Sequence, residues 1–510
     1  MSSVFIGIDV GTTNVKTVLF TKKGYELGLA SKKSKHNKSS AGYEIQDMNK
    51  LWEVVCDTIK EVLKNINSSF EIEGIGVTGQ GDGLWMIDEN GLPVKEANLW
   101  IDGRAREFIN QWKKEGILSQ SGRTVFSGSP LALSAWYYKN KPEVMEKAAK
   151  IMFCKDWIKY CLTGNVVTDA SDLSDASLID VIERSYSEEL LEKYDMKKLK
   201  ELLPSKKSST EIIGKVTKEA SKMTGLPKGI PVVNGMIDVA SCALGVGAIE
   251  QDSAASIVGT TVYNEVVLGS QSLSSVDFED NASIICHGVN DRWLITQGTM
   301  MGTPNLDWFL ERMYLSEKEL DNFSFKKITE KIKQEIPIGS KGLIFHPYLG
   351  EGGERAPFSK PSAAGQFFGI KHYHTKDHFL RAIFEGIALS MKDCYEHFPE
   401  LPNYIRLTGG GSYNEFWCQM FSDCLGIPVQ VPLGSEHGAL GAAITAAIGT
   451  GHFFDYQEAV EEMVIIEKTY NPRSEQHEKY QKIYELYTEI YNNLWDSWDK
   501  REQIMAQFNT

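Results

Sequence analysis

No two of the eight cysteines stand as a Cys-x-x-Cys pair, and most lie in apolar, helix-like stretches; this argues against a zinc site or disulfide framework and for reduced core thiols. Long uncharged apolar runs are missing too: none approaches the ~18 residues a membrane span needs. The N-terminus enters a strand-like run with no basic segment ahead of it, so a cytoplasmic protein with no membrane partner is expected. Basic charge is in short supply, with 54 Lys and Arg against 68 Asp and Glu and a net charge of −14. That balance excludes a general nucleic-acid or anionic-membrane surface, and a phosphorylated ligand has to be held by local loops. There is no repeat of solenoid period and no low-complexity tract. What remains is 510 residues, 42% of them hydrophobic, more than one core usually serves. Two α/β domains are expected, residues 1–246 and 247–510, with the boundary near residues 245–250.

The stretch Ile8-Asp9-Val10-Gly11-Thr12-Thr13-Asn14-Val15-Lys16 joins two apolar strand-like runs across a turn of small and hydroxylic residues. Glycine lets the backbone approach an anion closely, Thr12 and Thr13 add hydroxyl donors, and Lys16 adds positive charge. Asp9, at the strand end, is placed to hold Mg2+ directly or through water. Alone, the motif reads equally as a hairpin turn with a solvated Asp. A second copy, Ile257-Val258-Gly259-Thr260-Thr261-Val262-Tyr263, lies about halfway down the chain. Two phosphate-loop candidates in two halves imply two similar domains serving one nucleotide.

Apolar residues at Leu51, Val54, Val55, Ile59, Val62, Leu63 and Ile66 predict an amphipathic helix packed on a sheet. The Gly-x-Gly-x-x-Gly at Gly74, Gly76 and Gly79 leads into strand-like alternation ending at Asn90-Gly91, not into a helix, which argues against a dinucleotide fingerprint. Trp100, Asp102 and Arg104 cluster near a predicted strand end, where such sheets bind ligands; the plainer reading is a surface salt bridge. Residues 142–162 predict one helix, with Lys155 and Asp156 as a solvated pair. Asp238 is the only charged residue between Lys228 and Glu250, so it either caps the small-residue helix after it or serves in catalysis. Gly409, Gly410 and Gly411 form a turn between a strand and a helix predicted to start at Asn414, where bare backbone admits a flat ring or a phosphate. Residues 439–448 predict a small-residue helix suited to close packing. The last helix, from about Gln476, carries an aromatic stripe that docks on the chain's own core, with a homodimer face as the minority reading.

Gly365-Gln366-Phe367-Phe368-Gly369-Ile370, followed after seven residues by the run from His378 to Glu385, matches the second signature of the FGGY carbohydrate kinases, which the chain resembles over nearly its full length. The first signature is only loosely echoed at Leu133-Ser134-Ala135-Trp136. The resemblance implies an α/β fold of two ribonuclease H-like domains, as in the actin, Hsp70 and sugar kinase superfamily, with a central inter-domain cleft. It implies ATP as phosphoryl donor and Mg2+ at Asp9, with Asp238 beside it as catalytic base. The ATP phosphates fall to Gly11, Thr12, Thr13, Asn14 and Lys16 with Gly259, Thr260 and Thr261. Gly409, Gly410, Gly411 and Asn414 fall beside the adenosine. Gln80, Gly81, Asp82, Trp100, Asp102, Asp238 and Tyr263 are the implied substrate positions. The Gln80-Gly81-Asp82-Gly83 loop resembles erythritol kinases, with L-xylulose kinases close behind, so a four- or five-carbon polyol or ketose is expected, phosphorylated at a terminal hydroxyl. Gly81 is expected to leave room for a longer carbon chain. A non-catalytic sugar and nucleotide sensor, or an ATPase of the actin and Hsp70 type, are the alternatives.

Overall fold

Chain tracing through the computed structural model, which describes residues 2–39, 42–65, 70–118, 125–273, 276, 283–316 and 323–508, finds two compact units. The first comprises Met1–Gln251, Val267–Leu294 and Gly434–Ile465; the second comprises Asp252–Val266, Ile295–Leu433 and Ile466–Thr510.

The first unit is built on six strands: β1 (Ser2–Val10), β2 (Asn14–Thr21), β3 (Glu26–Lys33), β4 (Phe70–Gly79), β5 (Ile212–Lys215) and β6 (Pro231–Val233). Their order is β5-β6-β4-β1-β2-β3. β1 runs antiparallel to β2, with Asp9 opposite Lys16 and Val10 opposite Val15, and parallel to β4, with Val10 opposite Gly79. Val4, Ile6, Ile8 and Val10 are wholly buried, as expected of a central strand covered on both faces.

The Met48–Lys64 helix covers one face. Asp47 caps it by accepting from the Asn49 and Lys50 amides, and Leu51, Val55, Ile59 and Val62 join the strand side chains in one core cluster. Ile66, expected in the same stripe, lies outside the described residues. The small-residue expectation at 439–448 is met by the His437–Gly449 helix, which lies directly on the strands. A Cβ on Gly7 would come 1.9 Å from the Ala439 carbonyl oxygen, and one on Gly76 1.9 Å from that of Ala442. Gly74 and Gly76 of the Gly-x-Gly-x-x-Gly run therefore serve sheet–helix contact, and the next element, Trp85–Ile87, is a strand, as the sequence indicated.

The helix expected over 142–162 is broken. Pro142–Lys147 is helical, Lys150–Met152 is a strand paired antiparallel with Trp85–Ile87, and a new helix spans Cys154–Thr163. Ile151 and Met152 fit a helical period, but their partner strand is distant in sequence and wins.

The second unit repeats the plan with β7 (Ser253–Val258), β8 (Val262–Leu268), β9 (Tyr404–Thr408), β10 (Val429–Pro432) and β11 (Ile466–Tyr470). From β8 through β7, β9 and β10 to β11 the pairings are antiparallel, parallel, parallel and antiparallel, the same senses found from β2 through β1, β4 and β6 to β5. The Ser474–Phe508 helix buries Tyr480, Tyr487, Tyr491 and Trp498 within this unit, and the Tyr487 hydroxyl lies 2.9 Å from that of Tyr348. The signature segment is structural here: Arg381 Nε donates to Glu385 Oε1 at 2.9 Å, and Glu385 accepts from the Gly339 amide and the Ser340 hydroxyl. All eight cysteines are free thiols, and seven are buried. Among the described residues no helix is long and apolar enough to cross a membrane.

Candidate active site

In the first unit, β1 and β4 end side by side, so the turn after β1 meets the loop after β4. The Gly11 amide closes the turn on the Asn14 carbonyl at 3.0 Å. The amides of Thr12 and Thr13 find no protein acceptor among the described residues, and Thr13 is exposed. The Thr12 hydroxyl is engaged within the protein: it donates to Gln80 Oε1 at 2.9 Å and accepts from Trp100 Nε1 at 3.0 Å. Gln80 continues the chain by donating to Gln46 Oε1 at 3.3 Å, and Gln46 donates to Ser34 Oγ at 2.6 Å. Thr12, Gln80 and Trp100 are thus brought together, with Gln46 as a buried support that sequence pattern alone does not mark.

Lys16 is also engaged. Its ammonium lies 2.6 Å from Glu436, beside the small-residue helix, so its charge is shared with protein carboxylates. Asp9 is half-buried, and its Oδ2 lies 2.8 Å from where a Cβ on Gly438 would stand, so glycine at 438 makes room for it. Burial pushes Asp9 up to about 6; Lys16 opposes the shift and Glu436 adds to it.

Asp238 is the first residue of the Asp238–Gly245 helix and keeps partial exposure, while Ile237 before it supplies no side-chain cap. One oxygen accepts from the Val239 amide at 2.8 Å. Burial, then Asp9 and Asp175, raise its carboxyl to about 8. Asp175 is a carboxylate that sequence pattern did not single out. It also explains Gly81: a Cβ there would lie 2.2 Å from Ile237 Cδ1 and 2.8 Å from Asp175 Oδ2. The space expected for a longer substrate is taken by those two side chains. Asp82 is buried with φ of +52°, an uncommon backbone for a non-glycine residue, next to Gly83 at +75°.

Asp102 is fully buried, and both its oxygens are engaged by protein donors. It accepts from the Arg104 side chain at 2.9 and 2.8 Å, the Arg104 amide at 3.0 Å, the Glu44 amide at 3.1 Å and Asn98 Nδ2 at 3.0 Å. The expected substrate acceptor therefore holds the loop, and the pair is no surface salt bridge, because both side chains are buried, with the Arg104 guanidinium over the Tyr43 ring.

Lys155 and Asp156, expected to be solvated, are wholly buried. Lys155 lies 3.0 Å from Asp156, 3.0 Å from Asp169 and 2.5 Å from Asp172, and Lys159 lies 2.8 Å from Asp156. Two lysines face three aspartates, and burial raises the Asp172 carboxyl well above the carboxylate range while Lys155 opposes the shift.

In the second unit, the Gly259 amide closes its turn on the Thr261 carbonyl at 2.9 Å. The Thr260 and Thr261 amides again lack a protein acceptor among the described residues. The turn is held from behind by the Gly302 amide on the Thr260 carbonyl at 2.7 Å and the Thr303 amide on the Gly259 carbonyl at 2.8 Å. Tyr263 donates its hydroxyl to Thr296 at 2.9 Å. Gly409 has φ of +84° and Gly411 presses on Val258, so packing explains both; Gly410 is exposed with open space above it. Asn414 caps the Glu415–Leu425 helix through the Trp417 amide at 3.1 Å, so that helix begins one residue later than expected.

Among the described residues no group of three or more His, Cys, Asp or Glu is placed to hold a metal ion. Mg2+ carried by a triphosphate needs only one or two protein carboxylates, and Asp9, with burial working against its charge, suits a cation.

Two sheets of like pairing, each opening at a Gly-Thr-Thr turn, and one set of carboxylates at a helix start define a two-domain α/β phosphotransferase. The chain belongs to the FGGY family of carbohydrate kinases, ATP-dependent enzymes: residues 4–245 match the N-terminal domain of that family and residues 254–450 its C-terminal domain. It is 28% identical to the L-xylulose/3-keto-L-gulonate kinase of Escherichia coli (strain K12), across 96% of this chain and 97% of that protein. It is 27% identical to the erythritol kinase of Brucella abortus (strain 2308), across 98% and 97%. The crystal structure of ligand-bound xylulose kinase from Lactobacillus acidophilus superposes with a TM-score of 0.88 at 26% identity, covering 98% of this chain and 99% of that one.

Proposed function

We propose that the protein transfers the γ-phosphate of ATP to a terminal hydroxyl of a four- or five-carbon polyol or ketose, with Asp238 as general base. The observation that carries this reading is the partly exposed Asp238 carboxylate at a helix start, raised to about 8 by burial and by Asp9 and Asp175. The deprotonated fraction of such a group present near neutral pH is a stronger base than an ordinary carboxylate and holds the proton it takes. Asp238 accepts the hydroxyl proton while the hydroxyl oxygen bonds to the γ-phosphorus and the bond to the departing ADP oxygen breaks. The Thr12, Thr13, Thr260 and Thr261 amides hold phosphate oxygens, with Lys16 adding charge, and Gly410 with its flanking glycines and Asn414 receives the adenosine. When bound, Mg2+ neutralises phosphate charge, and Asp9 would hold it. Gln80, Asp82 and Trp100 face the acceptor, Asp102 fixes their loop, and Tyr263 completes the set. The relatives named for xylulose, L-xylulose and erythritol support the substrate class. We place the protein in the cytoplasm.

A coupled ADP-release assay over tetritols, pentitols and ketopentoses tests the proposal. Turnover is expected with one group of short acceptors and none without them; turnover without any acceptor would favour the ATPase alternative, and ATP binding with no turnover the sensor. D238N should lose about 10³-fold or more in kcat, roughly 4 kcal/mol of barrier, while ATP still binds. A D238N enzyme running near the parent rate would mean another group is the base.

A further inference from the structure

Asp238 is aimed by a segment far from it in sequence. Ile237, just ahead of the helix, has an amide that no helical carbonyl can satisfy. That N–H donates to the hydroxyl oxygen of Ser171 at 2.9 Å, and both partners are buried. Ser171 has no freedom of its own: its hydroxyl donates to Asp169 Oδ2 at 2.7 Å and its amide to the same oxygen at 3.0 Å. Asp169 is fixed in turn by the Ser209 hydroxyl at 3.0 Å and by Lys155 at 3.0 Å. The residues leading to Asp238 are pinned by the same neighbourhood, with Thr78 donating to the Met236 carbonyl at 2.8 Å and Lys159 to the Asn234 carbonyl at 2.7 Å. The Ala170–Asp175 helix that carries Ser171 also presents Asp175 beside Gly81.

We infer that Ser171 is a positioning residue for phosphoryl transfer, holding the Asp238 carboxylate in aim through the Ile237 amide, with Asp169 and Lys155 as its buried anchor. The inference rests on the reading of Asp238 as base. Because the hydroxyl proton is already given to Asp169, the Ser171 oxygen has only an acceptor role towards Ile237, and removing it frees the start of the helix without altering any proposed nucleotide contact.

Full-length S171A, S171T, D169N and D238N are compared by steady-state kinetics with ATP and the acceptor that the panel identifies. S171A should lower kcat about 10- to 100-fold, the size expected when a reacting group is misplaced by a fraction of an ångström, with KM for ATP within about threefold of the parent. S171T keeps the hydroxyl and should recover kcat to within about threefold of the parent. An S171A enzyme at the parent kcat, or equal losses in S171A and S171T, overturns the inference, as does a loss that disappears once rates are corrected for the folded fraction. Should S171A give no folded protein, D169N decides in its place: a fall in kcat at constant KM for ATP supports the inference, and an unchanged kcat overturns it. D238N separates the two levels, since turnover in that variant removes the base, whereas an inactive D238N beside a normal S171A removes only the positioning role.

Discussion

At residues 11–13 and 259–261 the chain makes the same Gly-Thr-Thr corner between antiparallel strands, with a parallel strand alongside, yet the residue two places ahead of the glycine is Asp9 in one and Ile257 in the other. The first corner is tied by the Thr12 side chain to Gln80 and Trp100 and by the Ser34 amide on the Thr13 carbonyl; the second is tied by the Gly302 and Thr303 amides and the Thr303 hydroxyl, all on backbone carbonyls. The neighbouring parallel strand runs into Gln80-Gly81-Asp82 in the first unit and into Gly409-Gly410-Gly411 in the second. Duplication thus repeats a backbone corner, while Asp9, Gln80 and Asp82 have no counterpart at the matching positions of the second copy.

The largest test of that asymmetry is D9N against I257V. Losing the carboxylate should cost about 10²- to 10³-fold in kcat, roughly 3–4 kcal/mol, while the valine should stay within about twofold. Equal losses from the two changes would mean the copies share the chemistry. Next come the glycines. G76A drives a Cβ against the Ala442 carbonyl and should lower unfolding free energy by about 3 kcal/mol or more, whereas G259A, with nothing within 4 Å, should change it by less than about 1 kcal/mol and raise KM for ATP about tenfold. Urea unfolding monitored by circular dichroism reads the first quantity.

The smallest effect concerns one buried histidine in each unit. Burial, helped by Arg184, lowers His287 to about 3, and burial lowers His346 to about 4 against the carbonyl bond to Tyr487. Below the ordinary pKa of about 6.5 the unfolded chain binds a proton that the folded chain refuses, so stability is lost as pH falls from there. Each histidine should contribute about 1.4 kcal/mol per pH unit. The slope of unfolding free energy between pH 6.5 and 5.0 should therefore fall in H287N by about that amount; an unchanged slope would mean His287 is protonated in the folded state.

Both hairpins, the covering helices and the aromatic stripe were legible because apolar periodicity and turn residues are local signals. The strand at Lys150–Met152 was not, since its pairing with Trp85–Ile87 is decided by distant residues. Lys155 and Asp156 looked solvated because the carboxylates that accompany them, Asp169 and Asp172, come from another helix. Gly81 misled for a related reason: glycine announces that a side chain is missing, but only the fold shows that Ile237 and Asp175 take its place. Asp238 stood out in sequence because it is a lone charge in an apolar stretch; Ser171 and Gln46, common polar residues in polar surroundings, carried no such mark.

The contact of Gly7 and Gly76 with Ala439 and Ala442 also bears on how the protein is made. A ribosome releases β1 to β4 early, but the helix that roofs them is translated only after Asp252–Val266 and Ile295–Leu433 of the other unit. The nascent amino-terminal half must wait with its glycine-lined surface bare, which makes it a natural client for a holding chaperone and a poor candidate for expression as an isolated fragment.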